Sequence, residues 1–179
     1  MLRSILPLVL ASVMLVGEAP SADDDRAGKA FAGRLGGLLD RMLSSIGLDR
    51  SAVLLAPLIP WRPPGDRPPS ELELTTCLPF TRRHIALARP RFLLLLGTLP
   101  ARAFLGPTWR RSRAAWVEMP RADGEGALPV MVLPGLATIA REAAAREQAW
   151  AALRQLRRAL DRGGLELTSR GLRNQPPLH

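Results

Sequence analysis

The sequence has 179 residues, of which 47% are hydrophobic, and it carries a net charge of +9. This length and composition support one domain with a buried core, and the single cysteine, Cys77, excludes an internal disulfide and a metal centre built from several cysteines. The positive charge comes almost entirely from arginine. It is typical of a protein that contacts nucleic acid, but a coding bias towards arginine would explain it equally well.

The N-terminal segment permits two interpretations. Residues 4–16 have the apolar character of a signal peptide, and residues 19–22 resemble its cleavage site. We favour the alternative, in which residues 12–17 form the first core strand, because cleavage near Ala22 would remove the strand that the following motif requires. No apolar run is long enough for a membrane span.

Short apolar runs alternate with amphipathic stretches along the whole chain. Strands are predicted at residues 13–16, 53–59, 92–96 and 130–133, with a further short strand at 115–118. Helices are predicted at residues 34–47, 70–88, 99–105 and 138–160. Ser70 and Glu73 form a capping-box pattern at the start of the second helix, whereas Pro57 is unfavourable within a central strand.

This alternation predicts an α/β protein with three layers. Repeated β–α units favour a parallel sheet, here of about four strands, with helices on both faces. We expect one domain over residues 1–162. Gly163 and Gly164 are predicted to end the last helix, so that residues 163–179 form a loose tail.

The most informative segment is residues 17–33, with the sequence GEAPSADDDRAGKAFAG. An apolar run precedes it, and a helical pattern follows. A strand, a turn rich in glycine and proline, an acidic loop and a helix together predict a pocket at the carboxyl end of the strand.

Five segments resemble, in order and spacing, the motifs of the iron–sulfur branch of the uracil-DNA glycosylase superfamily. They are residues 17–33 (like GEAPG…EDxxGxPFVG), 61–67 (like xRPPGNR), 77–90 (like ACxPxLxxQIxLxxP), 92–106 (like the strand–LG–AARALLG step) and 141–153 (like the end of KREAWRDL). The resemblance implies the superfamily fold. It also implies an activity that flips deoxyuridine out of DNA and cleaves its glycosidic bond.

The resemblance assigns roles to several residues of the first motif. Phe31 stands at the position that stacks the flipped base, although an ordinary core position would explain it too. Glu18 stands at the position that helps to orient water; a carboxylate at a helix terminus or in a loop is the alternative. Gly17, Ala19 and Pro20 complete the base-binding turn, in which Ser21 replaces a glycine.

Other functional positions of the family are altered. Pro57 replaces the asparagine that reads the base, and Gly135 replaces the histidine that polarises a uracil oxygen. His84 is expected on a helix surface. Of the cluster cysteines only Cys77 remains, and Trp61 replaces its partner, so we expect no iron–sulfur cluster. An upstream start could restore two cysteines, but not the one at Trp61.

Three hypotheses for function follow. The chain is a degenerate glycosylase-like protein with weak or no uracil excision, an active glycosylase with altered chemistry that uses Glu18 and Phe31, or an interaction module without enzymatic activity. We expect a cytoplasmic monomer without a membrane segment. Contact with DNA is expected through a set of arginines: Arg62, Arg67, Arg110, Arg111, Arg113 and Arg141.

Overall fold

One mixed sheet organises the part of the chain that the structure describes. The computed structural model describes residues 12–112, 115–121, 124 and 126–173, and for residues 108, 111, 112 and 163–173 it describes only the backbone. The strands are β1 (Val13–Gly17), β2 (Val53–Pro57), β3 (Phe92–Leu96), β4 (Val117–Pro120) and β5 (Ala127–Leu133). They lie side by side in the order β2-β1-β3-β5-β4.

Four of these strands are parallel, and β4 pairs antiparallel to β5 at one edge. Strand β1 is buried along its whole length between β2 and β3, which explains its continuous apolar sequence. Pro57 is the last residue of β2, at the other edge of the sheet, where a missing N–H is tolerated. The predicted α/β class with about four parallel strands is confirmed, and β4 adds an antiparallel fifth.

Helices cover both faces of the sheet. They are α1 (Ala22–Ala27), α2 (Gly33–Ser44), α3 (Glu71–Ala88), α4 (Thr98–Leu105), α5 (Leu136–Arg141) and α6 (Ala143–Arg173). Side chains of α3 and α4 form the core on one face, among them Cys77, Ile85, Ala101 and Phe104. Side chains of α2 and α6 form it on the other, among them Leu39, Leu43, Leu153 and Leu156. The predicted three layers are therefore present.

Helix α1 was not predicted, because its acidic sequence was interpreted as a loop. The Ser21 hydroxyl accepts a hydrogen bond from the Asp24 backbone N–H at 3.3 Å, and the Asp24 carboxylate accepts one from the Ser21 N–H at 2.8 Å. This reciprocal pair satisfies two backbone donors at the start of the helix. Ser21 thus serves as a cap, with its side chain turned towards α1.

The last predicted helix differs from the structure in two respects. Glu142 has an extended backbone (φ −113°, ψ 127°) and separates α5 from α6, although no glycine or proline marks the break. The prediction that Gly163 and Gly164 end the helix and begin a loose tail is wrong, because α6 continues to Arg173. Glycine weakens a helix by about 1 kcal/mol relative to alanine, but it keeps its N–H and does not force an end. Residues 174–179 lie outside the described residues.

The expected single domain over residues 1–162 stays a prediction. Among the described helices, none combines the length and the hydrophobicity that crossing a membrane requires. Residues 13–17 form a central strand, as the strand interpretation of the N-terminal segment predicted.

Candidate functional site

A cavity of about 210 Å³, here called the base cavity, lies at the carboxyl ends of the parallel strands. Its wall includes residues 17–21 after β1, residues 30–32 before α2, residues 96–98 after β3 and residues 135–138 after β5. Parallel strands end at one edge of a sheet, so segments far apart in the sequence meet there. The structure brings together all the predicted pocket positions: Gly17, Glu18, Ala19, Pro20, Phe31, Pro57 and Gly135. Their chemical roles stay predictions.

Phe31 lies in the wall in an unusual backbone conformation. Its φ angle is +56°, in the left-handed region that residues other than glycine rarely adopt. The ring packs against Gly17: a Cβ added there would lie 2.7 Å from the Phe31 Cζ atom. Glycine at position 17 therefore admits the ring, and the ring in turn closes one side of the cavity.

Arg50 holds this conformation from outside the cavity. Its guanidinium donates to the carbonyl oxygens of Phe31 and Ala30, the second at 3.3 Å, and pairs with the Asp40 carboxylate of α2. Gly36 permits the close approach of α2, since a Cβ there would lie 2.0 Å from the Phe31 carbonyl oxygen. Sequence reasoning missed Arg50, because no local pattern indicates that it reaches back 19 residues to the Phe31 carbonyl.

Asp24 lines the base cavity and connects α1 to the segment that carries Phe31. Besides capping α1, its carboxylate accepts a hydrogen bond from the Ala32 backbone N–H. This contact joins the start of α1 to the residue that follows Phe31. The serine and aspartate three residues apart were a usable capping signal in the sequence, but the link to Ala32 depends on the fold.

Glu18 lies between the base cavity and the start of α4. Its Oε1 atom accepts a hydrogen bond from the Leu99 backbone N–H at 3.3 Å. A Cβ on Gly97, which has a φ of +100°, would lie 2.4 Å from the same oxygen. The carboxylate therefore accepts a hydrogen bond from a backbone N–H at a helix N-terminus, and whether it also orients water stays a prediction.

The two altered positions of the wall supply no polar side chain. Pro57 pairs with Gly17 at the end of β2 and has neither an N–H nor an amide group. Gly135 precedes α5 with an ordinary extended backbone (φ −62°, ψ 149°). Carboxylates of Glu18 and Asp24 line the cavity, whereas no arginine or lysine is among its described lining residues. The wall thus offers an aromatic face and negative charge.

Next to the base cavity, Glu73 organises the loop of residues 61–69. Its carboxylate accepts hydrogen bonds from Arg67 at 2.7 and 3.0 Å, from the Ser70 N–H at 2.7 Å and from the Trp61 indole at 3.3 Å. Arg67 and the Ser70 N–H hold the pKa of Glu73 far below its ordinary value. One carboxylate therefore joins both ends of the loop to the start of α3, where the predicted capping box is present.

The residues of this chain do not fit a four-cysteine iron–sulfur cluster. Cys77 is the only cysteine and is 4% exposed, and burial raises the pKa of its thiol. Trp61 is 43% exposed, and its indole N–H donates a hydrogen bond to the Glu73 carboxylate. Among the described residues, no three His, Cys, Asp or Glu side chains are grouped to hold a metal. At position 61, where the resemblance implies a cluster cysteine, the Trp61 side chain is instead hydrogen-bonded to Glu73.

The arginines predicted to contact DNA differ in their surroundings. Arg62 forms two hydrogen bonds with Asp66, at 2.6 and 2.7 Å, and Arg67 is paired with Glu73. Arg110 lies over the Trp109 ring, 5.2 Å from its centre. Arg141 is exposed at the end of α5, and His84 is exposed on α3 as expected. For Arg111 only the backbone is described, and Arg113 lies outside the described residues.

Comparisons with known proteins agree on one family. The family model described as "Uracil DNA glycosylase superfamily" matches residues 5–157. A protein of Pyrobaculum aerophilum named "Type-4 uracil-DNA glycosylase" is 39% identical over 100 residues, which are 56% of this chain and 51% of the relative. Proteins of the same name from Sulfurisphaera tokodaii and Saccharolobus solfataricus are 40% and 41% identical over 88 residues, 49% of this chain and 40% and 41% of those relatives. The chain thus spans about half, or less, of their length.

Replacement of Arg50 by alanine is expected to loosen residues 30–33. The Phe31 and Ala30 carbonyls would lose a charged donor, at a cost of about 1–2 kcal/mol in unfolding free energy. Arg157→Ala is the matched control, since Arg157 also donates to a carbonyl, that of Ile46, and pairs with a carboxylate. Amide hydrogen exchange of residues 30–33 should accelerate in Arg50→Ala alone. Equal exchange in both variants would contradict the role of Arg50.

Stability should depend on the charge of Glu73. A carboxylate whose pKa is lowered by folding stabilises the protein above its unfolded pKa, about 4.3, and this contribution is lost as the pH falls towards the lower folded value. The difference in unfolding free energy between the wild type and Glu73→Gln should therefore be large above pH 5 and shrink below pH 4. Urea unfolding across this range measures it, with the exposed Glu147→Gln as control. A difference that does not change with pH would refute the role of this charge.

Proposed function

We propose, because the chain belongs to the uracil-DNA glycosylase superfamily, that it binds DNA and holds a flipped base in the base cavity, with weak or no excision of uracil. The observation that carries this proposal is the composition of the cavity wall. Phe31 is retained there beside Gly17, while the positions of two hydrogen-bond donors are held by Pro57 and Gly135.

Retention of a base is supported by the shape of the cavity. An aromatic ring in the wall offers a face on which any base stacks, and such stacking is worth roughly 1–3 kcal/mol. The left-handed backbone of Phe31 is fixed by Arg50 and by the close packing of Gly17 and Gly36. A ring held in advance loses little freedom when a base binds.

Weak excision is supported by the electrostatics of the same wall. The uracil that leaves carries developing negative charge, so catalysis needs donors directed at its oxygens. Each missing donor of this kind typically costs about 10²–10³ in rate. Pro57 and Gly135 supply no side-chain donor, and the carboxylates of Glu18 and Asp24 in the wall oppose negative charge on the leaving base.

A second candidate function is excision by altered chemistry, with Glu18 positioning the attacking water. It is favoured by the place of Glu18 in the cavity wall. Its hydrogen bond to the Leu99 N–H occupies Oε1. In this alternative the second carboxylate oxygen would bind water. If neither binding nor excision occurs, the chain is an interaction module that keeps only the fold.

We further propose that the protein works without an iron–sulfur cluster. The support is the network around Glu73. Its carboxylate accepts hydrogen bonds from Trp61, Arg67 and Ser70 and so holds the loop of residues 61–69 against the start of α3. DNA would be the partner of a monomer, and the cytoplasm would be its location.

Uracil excision by the wild type should lie near background. The test incubates the pure protein with oligonucleotides that carry uracil and then cleaves abasic sites with alkali. The variant with Pro57→Asn and Gly135→His restores both donors, and activity in this variant alone would support a cavity that has lost them. Robust wild-type excision that Glu18→Gln abolishes and Glu147→Gln leaves intact would instead establish the altered chemistry.

Asp66→Asn should strengthen DNA binding. Arg62 holds the pKa of Asp66 below its ordinary value, so the pair is ionised and the arginine charge is neutralised. Asparagine would leave Arg62 with only the longer contact to the Asp25 carboxylate, at 4.0 Å, which a phosphate can displace, and the slope of log K against log salt should steepen by at most about 1. Asp161→Asn is the matched control, because it frees Arg157 from a pair of the same spacing on α6. Equal effects of both changes would mean that only net charge matters.

A further inference from the structure

A second cavity, of about 300 Å³, adjoins the base cavity. The two cavities share four lining residues: Gly97, Thr98, Gly135 and Thr138. Beyond them the second cavity is lined by residues 132–134, by Trp109, and by Glu142, Ala144, Ala145 and Gln148 around the start of α6. The end of β5 and the break between α5 and α6 therefore form its floor and one side.

The boundary between the cavities lacks side chains at two of its four positions. Gly97 and Gly135 face each other there: a Cβ added to Gly135 would have only the Gly97 Cα atom within 4 Å among the described residues, at 3.7 Å. Any side chain at position 135 would thus occupy the gap. The Gly135 backbone has φ −62° and ψ 149°, which every residue adopts without strain, so glycine is not required by conformation.

The second cavity is polar, and its groups suit an uncharged ring. It contains the amide of Gln148 and the carboxylate of Glu142, with the hydroxyls of Thr98 and Thr138 at the boundary. No hydrogen bond to another described residue engages the Gln148 amide. No arginine or lysine is among the described lining residues of either cavity, so a phosphate or another anion would find no counter-charge.

We propose that the two cavities form one binding site for a base larger than a pyrimidine, namely a purine that presents an N–H donor next to a carbonyl acceptor, as hypoxanthine does. This inference rests on the proposed function, in which a flipped base enters the base cavity against Phe31. One ring stacks on Phe31, and the rest of the base passes Gly135 towards Gln148. A glutamine amide offers one donor and one acceptor side by side, which matches that edge of the purine.

Uracil fills only the first part of this site. It stacks on Phe31 but leaves the Gln148 amide unmatched, whereas hypoxanthine reaches it. A matched pair of hydrogen bonds to a base edge typically discriminates by roughly tenfold or more. The same gap that removes a donor from the uracil position therefore changes which base the site prefers.

Competition binding with single-stranded oligonucleotides of one sequence tests this proposal. The central base is thymine, uracil or hypoxanthine, and fluorescence anisotropy measures the affinity. The wild type should bind the hypoxanthine oligonucleotide about tenfold more tightly than the uracil one. Gln148→Ala should remove this preference and leave uracil binding unchanged. Gly135→Val should weaken hypoxanthine binding more than uracil binding, because its side chain fills the boundary between the cavities, whereas Gly37→Ala, on α2, should change neither affinity.

The outcomes separate this proposal from the function on which it rests. If Phe31→Ala weakens binding but the wild type prefers uracil or shows no preference, the larger site is refuted and the base cavity stands. An equal loss of affinity for both oligonucleotides in Gly135→Val would refute it too. If Gly135→Val does not fold, Gln148→Ala still tests the proposal, because it changes the second cavity alone. If Phe31→Ala changes no affinity and no base is distinguished, both the proposed function and this inference are overturned.

Discussion

Strand β1 is hydrogen-bonded on both sides and buried from end to end, and the walls of the base cavity are placed relative to its carboxyl end. Its register sets Gly17 beside Pro57 on one side, and on the other it aligns β1 with β3, which leads into Gly97. The turn after Gly17 then carries Glu18 to the start of α4. A shift of β1 by one residue would turn every one of its side chains to the opposite face of the sheet.

The shape of the site and its chemistry are held by different interactions. Phe31 keeps its left-handed backbone through hydrogen bonds from Arg50 and the close approach of Gly36, neither of which is among the described residues that line the base cavity. Pro57 and Gly135, by contrast, are single wall residues without a side-chain donor, and neither belongs to the core clusters on the two faces of the sheet. The packing of the fold and the chemistry of the cavity wall therefore depend on separate residues.

Net charge is a poor guide to the field around the base cavity. The chain carries +9, yet the described lining of the cavity includes Glu18 and Asp24 and no arginine or lysine. Asp66 and Glu73 each neutralise an arginine of the loop of residues 61–69. The positive charge that remains belongs to other arginines, such as the exposed Arg141. Composition counts charges, whereas phosphate binding depends on which of them are unpaired.

The sequence by itself determined the elements with strong local signals. Strands β1 and β3 follow from continuous apolar runs, α3 from the Ser70–Glu73 capping box, and the ordered motifs place Glu18, Phe31, Pro57 and Gly135 at one cavity. The break at Glu142 could not be predicted, because no glycine or proline marks it, and the continuation of α6 through Gly163 could not, because glycine weakens a helix without forcing its end.

Only the tertiary structure decided the contacts between residues far apart in the chain. No local sequence pattern indicates three of these contacts. They are the hydrogen bond from Arg50 to the Phe31 carbonyl, the hydrogen bond of Glu18 at the start of α4, and the open boundary between Gly97 and Gly135. Patterns along the chain report which faces are buried. They carry no information on the distance between two segments until the sheet brings those segments together.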